Sequence, residues 1–98
     1  MAEIPLLSLP DLLCGEAVAP FDSLAKIQKR VRTALGHQVK SRRLALELTQ
    51  AALARQAGVR RAMLIEIEQG EANIRLESLV RIARALKVEP AELLSSDP

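Results

Sequence analysis

The residues most able to do chemistry in this chain are its basic side chains, and they are concentrated in the middle of the sequence. Between Ser23 and Ile65, ten lysines and arginines are accompanied by a single acidic residue, Glu47. The segment before them contains acidic charges only: Glu3, Asp11, Glu16 and Asp22. Attraction to a partner follows the local field more than the net charge of +2. The segregation therefore indicates either an anionic partner such as a nucleic acid or a solvated basic surface.

Residues for acid-base, covalent or metal chemistry are scarce. The chain has one histidine, His37, and one cysteine, Cys14, and it lacks CxxC, HExxH and glycine-rich phosphate-binding motifs. We interpret His37 as a surface or packing residue and Cys14 as a small apolar contact. The sequence therefore predicts that the protein is not an enzyme and has no cofactor and no metal site.

In the stretch Arg55 to Gly70, RQAGVRRAMLIEIEQG, a glycine turn is followed by a helix that begins with charged residues and continues with apolar ones. A buried helix would not begin with Arg60 and Arg61, and a solvated helix would not carry so many large apolar residues: Met63, Leu64, Ile65 and Ile67. The pattern fits a helix whose N-terminal end is uncovered while its apolar side packs on the helix before it. The major groove of DNA admits one such helix.

Helical signals surround this stretch on both sides. Asp22 or Ser23 can cap a helix whose apolar residues recur at helical spacing, but Gly36 weakens it, so residues 22–47 form one helix or two. Thr49 can cap a helix that ends at Gly58. Helices are also expected over 60–68, over 76–86 and from Pro90. The fold class is predicted to be all-α.

The chain divides into an N-terminal extension, residues 1–20, and one domain, residues 21–98. The extension holds three of the five prolines, and its apolar pieces are too short for a helix to be expected. It has Glu3 where an export signal would have a basic residue, and no segment is long enough to span a bilayer. We expect a cytoplasmic protein with no membrane contact. A single cysteine cannot form a disulfide within the chain, which fits a reducing compartment.

Residues 39–94 resemble the helix-turn-helix domain of Cro and cI repressors, the XRE family. Four pieces in order carry the resemblance: LTQ at 48–50, LA and QAGV within 53–59, IEQG at 67–70, and LESLVRIARALKVEPAELL at 76–94. Together they are far more specific than a lone glycine-centred turn. The resemblance implies a five-helix, lambda-repressor-like domain that carries the N-terminal extension. It also implies that the partner is double-stranded DNA.

The resemblance also assigns roles to single residues. It implies base contacts by Arg61, Ala62 and Glu66, side chains suited to guanine, a thymine methyl and cytosine respectively. Contacts to phosphate, which position the protein without reading sequence, are expected from a further set: Gln50, Arg60, Gln69, Lys40 and Arg42.

A structural ion pair is implied between Arg43 and Glu68, which would tie the first helix to the end of the third and leave Arg42 free. In the alternative register, Arg42 makes the internal bond and Arg43 faces phosphate. The sequence departs from the family pattern at Arg60 and Arg75, where Ser or Thr is common, so both helix starts should be more basic and less well capped.

The leading functional interpretation is a sequence-specific transcriptional regulator, a dimeric repressor that inserts helix 60–68 into the major groove. A dimer is expected because one small module buries too little surface for tight specificity. Candidate dimer contacts are Val88, Leu93 and Leu94, with packing in the core of the same chain as the alternative for each.

The second functional interpretation is an antitoxin that blocks a toxin through its extension or its long first helix and regulates its own operon. It is motivated by the acidic charges of the extension and by its leucines: Leu6, Leu7, Leu9, Leu12 and Leu13. The alternative is that these leucines pack against the same domain or its dimer mate.

Overall fold

The computed structural model of the protein describes residues 23–95, and this part of the chain is entirely helical. It contains five helices and no strand: α1, Leu24–Ala45; α2, Gln50–Ala57; α3, Arg61–Glu68; α4, Leu76–Leu86; and α5, Pro90–Leu93. The predicted all-α, five-helix fold is confirmed. The extension, residues 1–20, with its leucines and Cys14, lies outside the described residues, so the predicted division at residue 20 stays a prediction.

Helix α1 is continuous over 22 residues, so the segment that could have been one helix or two is a single helix. It begins at Ser23, whose hydroxyl accepts a hydrogen bond from the Lys26 backbone N–H at 3.1 Å. The buried residues of α1 lie only in its second half, from Leu35 onward. The first three turns of α1 therefore extend past the part of the helix that forms the core.

Gly36 lies where α1 crosses the end of α3, a contact that its sequence position did not indicate. A Cβ atom at Gly36 would overlap the carbonyl oxygen of Ile67 and would lie 3.0 Å from that of Glu68. Both neighbours are backbone atoms, which cannot move aside by a side-chain rotation. The glycine that was expected only to weaken α1 is therefore what allows the two helices to approach so closely.

We predict that Gly36→Ala destabilises the protein, although alanine is the better helix former. The gain in helix propensity is about 1 kcal/mol, whereas forcing extra atoms into a packed contact typically costs about 1–3 kcal/mol, and more against rigid backbone. Urea unfolding followed by circular dichroism should show a net loss of stability. The control is His37→Ala, at the neighbouring exposed position, which should change stability by less than about 0.5 kcal/mol. A more stable Gly36→Ala variant would mean that α1 and α3 are further apart in solution.

Local capping determines where α2 begins and ends. The Thr49 hydroxyl accepts a hydrogen bond from the Ala52 backbone N–H at 3.0 Å, as its sequence position predicted. Gly58 ends the helix with φ of 74°, in the left-handed region that glycine adopts without strain. Only residues 58–60 then separate α2 from α3.

The core lies where all five helices meet. Its largest fully buried side chains come from every helix: Val39, Leu53, Leu64, Ile67, Ile82 and Leu93. Leu93 is 0% exposed, so the prediction that it contacts a dimer mate is wrong: its side chain is used within its own chain. Val88 is half-buried and packs against the core, whereas Leu94 is 41% exposed. Among the described residues, no helix is both long and apolar enough to cross a lipid bilayer.

Candidate nucleic-acid interface

Helix α3 has one buried side and one exposed side. Leu64 and Ile67 are almost completely buried, and Met63 is half-buried against the core. The residues expected to contact DNA bases are all exposed: Arg61, Ala62 and Glu66. The exposed side carries charged and small side chains, and the buried side anchors the helix to the rest of the domain. This arrangement leaves the N-terminal end of α3 open to a partner.

The N-terminal end of α3 suits an anionic partner. Its N-cap residue, Arg60, is exposed and makes no capping side-chain hydrogen bond, and the first turn contains no acidic residue. The N–H groups of a first turn have no partner within their own helix, and the helix dipole adds a partial positive charge there. Arg60 and Arg61 increase the positive potential further. Arg75 occupies the N-cap position of α4 and likewise makes no capping side-chain hydrogen bond. Both departures from the family pattern therefore leave the start of a helix without a side-chain cap.

A buried ion pair holds the end of α3 against α1. The Arg43 guanidinium donates to both Glu68 carboxylate oxygens, with Nε to Oε2 at 2.7 Å and Nη2 to Oε1 at 3.1 Å. Its remaining nitrogen, Nη1, donates to the carbonyl oxygen of Leu48 at 2.8 Å. The two side chains are only 10% and 4% exposed. Of the two registers that the sequence left open, the structure has Arg43 as the internal partner.

Gln50 extends this network to the start of α2. Its side-chain nitrogen donates to Glu68 Oε1 at 3.1 Å. An amide nitrogen carries two hydrogens, so one remains for a phosphate oxygen. Arg43, Gln50 and Glu68 therefore join α1, α2 and α3 through one hydrogen-bond network.

The expectation that Arg42 is a free cation is wrong. Its Nη2 lies 3.3 Å from Glu92 Oε1 on α5, and its Nε donates to Gln38 Oε1 at 3.2 Å. One residue along a helix turns a side chain by about 100°, so Arg42 reaches toward α5 while Arg43 reaches toward α3. Two other proposed phosphate contacts, Lys40 and Gln69, are exposed.

The sequence reasoning missed Asn73. It lies in the loop between α3 and α4 and lines a shallow depression of about 210 Å³ together with Ala62 and Glu66. Its side chain is exposed and offers both a donor and an acceptor. The signal in the sequence was weak, because a polar residue in a loop is ordinary; only the fold brings it beside two predicted base contacts.

An exposed helix that is anchored by the preceding helix across a short glycine turn defines a helix-turn-helix module. The chain belongs to the HTH_3 helix-turn-helix family, whose family model matches residues 39–93. The match covers all of α2 to α5 and the end of α1. The protein is therefore a member of a DNA-binding class. In the part of the chain that is described, no group of three or more His, Cys, Asp or Glu residues could hold a metal ion.

Solved structures with a similar fold include three bacterial proteins. The restriction-modification controller protein C.AhdI from Aeromonas hydrophila is 32% identical, with a TM-score of 0.61 over 63% of this chain and 94% of that one. The hypothetical transcription factor NHTF from Neisseria is 30% identical, with a TM-score of 0.65 over 68% of this chain and 75% of its own. An HTH_3 family transcriptional regulator from Vibrio cholerae is 30% identical, with a TM-score of 0.66, over 72% of this chain and 40% of its own. A search among curated proteins gives no significant match.

Proposed function

We propose that this protein is a sequence-specific, double-stranded DNA-binding regulator that acts as a dimeric repressor by occupying a promoter. The observation that carries the proposal is α3 itself, with Arg61, Ala62 and Glu66 exposed on one side and Leu64 and Ile67 buried on the other. A recognition helix needs this combination to enter the major groove without losing its support. The similarity to two transcription regulators and a controller protein supports a regulatory role.

The DNA contacts divide into those that read sequence and those that position the protein. We assign base reading to Arg61, Ala62 and Glu66, and we add Asn73 because it adjoins the last two. Phosphate contacts are assigned to a second set of polar and basic residues: Lys40, Gln50, Arg60 and Gln69. Arg42 is not among them, because Glu92 and Gln38 already hold its guanidinium.

Binding to the chain's own promoter tests this function. The affinity for that duplex should be measured against a scrambled duplex of equal length at several salt concentrations. A specific regulator of this kind typically binds its operator about 10³ to 10⁷ times more tightly than unrelated DNA. Equal affinities with a steep salt dependence would show a polycation that binds any duplex. That outcome would contradict the proposal.

A dimer contact is available on α4. Leu76 and Val80 are one turn apart and are 75% and 46% exposed. A two-fold dimer presents the same surface of both subunits to each other, so a small apolar patch of this kind can pair with itself. To bind two half-sites, such a dimer must hold its two copies of α3 about 34–36 Å apart, the spacing of successive major grooves on one side of the duplex.

We predict that replacing both Leu76 and Val80 with Asp raises the dimer dissociation constant by more than about tenfold, because four like charges would meet in one interface. Sedimentation equilibrium over a range of concentrations would measure the change. Leu44→Asp is the matched control, since Leu44 is 55% exposed and lies on α1. If the control and the double variant dimerise equally well, the dimer contact lies elsewhere.

The antitoxin interpretation assigns toxin binding to the extension, residues 1–20, which lies outside the described residues, or to the long first helix, α1. Two apolar side chains of α1, Leu24 and Val31, are exposed, but nothing among residues 23–95 specifies a toxin as their partner. The repressor is therefore the single function proposed.

A further inference from the structure

An apolar groove runs along the first turns of α1, and Asn73 lies between it and the depression that Ala62 and Glu66 line. It has a volume of about 230 Å³, and its apolar lining comes from three parts of the fold: Ile27, Val31, Leu35, Ala72, Ile74 and Leu94. Val31 is 39% exposed and Leu94 is 41% exposed, so the groove is open to solvent. Leu94, a candidate dimer contact, lines this groove together with residues of α1.

The groove continues an apolar stripe on α1 of which only the C-terminal end is buried in the described part of the chain. Leu24, Ile27, Val31 and Leu35 follow the three- and four-residue spacing that places side chains on one face of a helix. Only Leu35 is buried, and Leu24 is 71% exposed. A helix with an apolar stripe is normally stabilised by packing that stripe against another element.

The charges on α1 indicate what kind of segment could cover the stripe. The helix contains no acidic residue, and its first three turns carry four basic ones: Lys26, Lys29, Arg30 and Arg32. Arg32 lines the groove itself, and the other three line a neighbouring depression on the same turns of α1. Pairing this helix with the same helix of a second copy would bring eight cations together, which is unfavourable. The groove is therefore suited to an occupant that is both apolar and acidic.

We propose that the groove is the docking site of this chain's own N-terminal segment, residues 1–20. That segment contains three carboxylates and no basic side chain, together with five leucines: Leu6, Leu7, Leu9, Leu12 and Leu13. The leucines would fill the apolar floor, and the carboxylates would face the basic residues of α1. The leucines thus match the apolar lining of the groove, and the carboxylates match the positive charge of α1.

The covalent connection makes this occupant available at high local concentration. The segment joins α1 at Ser23, and the groove begins at Ile27, one turn further on. The stretch of α1 from Ile27 to Leu35 is only about 12 Å long, whereas an extended chain spans about 3.3 Å per residue. Residues 1–20 are more than long enough to reach its full length. A short tether gives an effective concentration of about millimolar, so weak contacts suffice.

The docking can be tested without DNA. Cys14 is the only cysteine, so a nitroxide spin label can be placed on the segment of the full ¹⁵N-labelled chain without other changes. The label should cause a selective loss of amide signals around the groove: Ile27, Val31, Ile74 and Leu94. Val31→Asp should restore those signals by placing a charge on the apolar floor. The matched control, Leu44→Asp, adds the same charge at another exposed apolar position of α1 and should leave the signal loss unchanged.

Three outcomes would overturn the proposal. The first is that the groove amides keep their intensity in the labelled protein. The second is that Val31→Asp and Leu44→Asp behave alike. The third concerns a mixture of two samples, one spin-labelled without ¹⁵N and one ¹⁵N-labelled without a nitroxide. Signal loss in that mixture would mean that the occupant of the groove comes from a second copy. Since the sample contains no DNA, failure to bind an operator would not affect the result.

Discussion

Replacing Glu68 with alanine is expected to lower the free energy of unfolding by about 3–5 kcal/mol, the usual cost of removing one partner of a buried ion pair. Arg43 would keep its charge while its side chain is only 10% exposed, and two of its three hydrogen bonds would be broken. Gln50 would be deprived of its acceptor as well. Denaturant unfolding followed by circular dichroism measures the change.

Two comparisons isolate the effect of burial. Glu77→Ala removes a carboxylate from the ion pair with Arg81, whose two side chains are 70% and 51% exposed, and it should cost less than about 1 kcal/mol. Replacing Arg43 with Met and Glu68 with Leu together should cost less than Glu68→Ala alone, because no buried charge is left unpaired. Similar decreases in stability for Glu68→Ala and Glu77→Ala would mean that the Arg43–Glu68 pair is solvated.

The stability of this network bears on function because it fixes the geometry of the candidate interface. Glu68 is the last residue of α3, Gln50 is the first of α2, and Arg43 lies near the end of α1. Removal of the carboxylate would loosen the C-terminal end of α3 while Leu64 still holds its middle. DNA affinity should therefore fall even under conditions in which the protein remains folded.

Local signals in the sequence were sufficient to predict most of the helix boundaries. Thr49 and Gly58 delimit α2 through a side-chain cap and a left-handed residue, which depend on only a few neighbouring positions. The end of α4 lies at Leu86, as predicted, although its turn carries no such signal. Lys87 adopts φ of 63° there, the conformation that favours glycine. A lysine provides no sequence signal for such a turn.

The features that the sequence did not predict depend on contacts between distant residues. Gly36 is required because the Ile67 backbone passes against it, and Arg42 is engaged because α5 brings Glu92 within reach. Asn73 becomes a candidate only because the loop after α3 folds back beside Glu66. The residues of the Arg43–Glu68 pair are 25 positions apart, so no local signal in the sequence predicts their contact. This pair was expected only because the chain resembles a known family.

The sharpest functional prediction compares two exposed cations, Arg61 on α3 and Lys40 on α1. Arg61→Ala should reduce discrimination between the operator and scrambled DNA by about 1–3 kcal/mol per half-site, because a guanidinium can bind guanine O6 and N7 in a bidentate fork. In a dimer this reduction applies to both half-sites. Binding to scrambled DNA should change far less, since that affinity comes from phosphate contacts.

Lys40→Ala is the matched comparison, because it removes one exposed positive charge per subunit without touching α3. It should weaken binding to both duplexes by a similar factor. The slope of the logarithm of the binding constant against the logarithm of the salt concentration should become less steep by about two for a dimer, because each subunit would neutralise one phosphate fewer. Fluorescence anisotropy titrations of both duplexes at several salt concentrations measure both quantities. If Arg61→Ala weakens the two duplexes equally, as Lys40→Ala should, then Arg61 contacts phosphate. Base reading would then have to come from Ala62, Glu66 and Asn73.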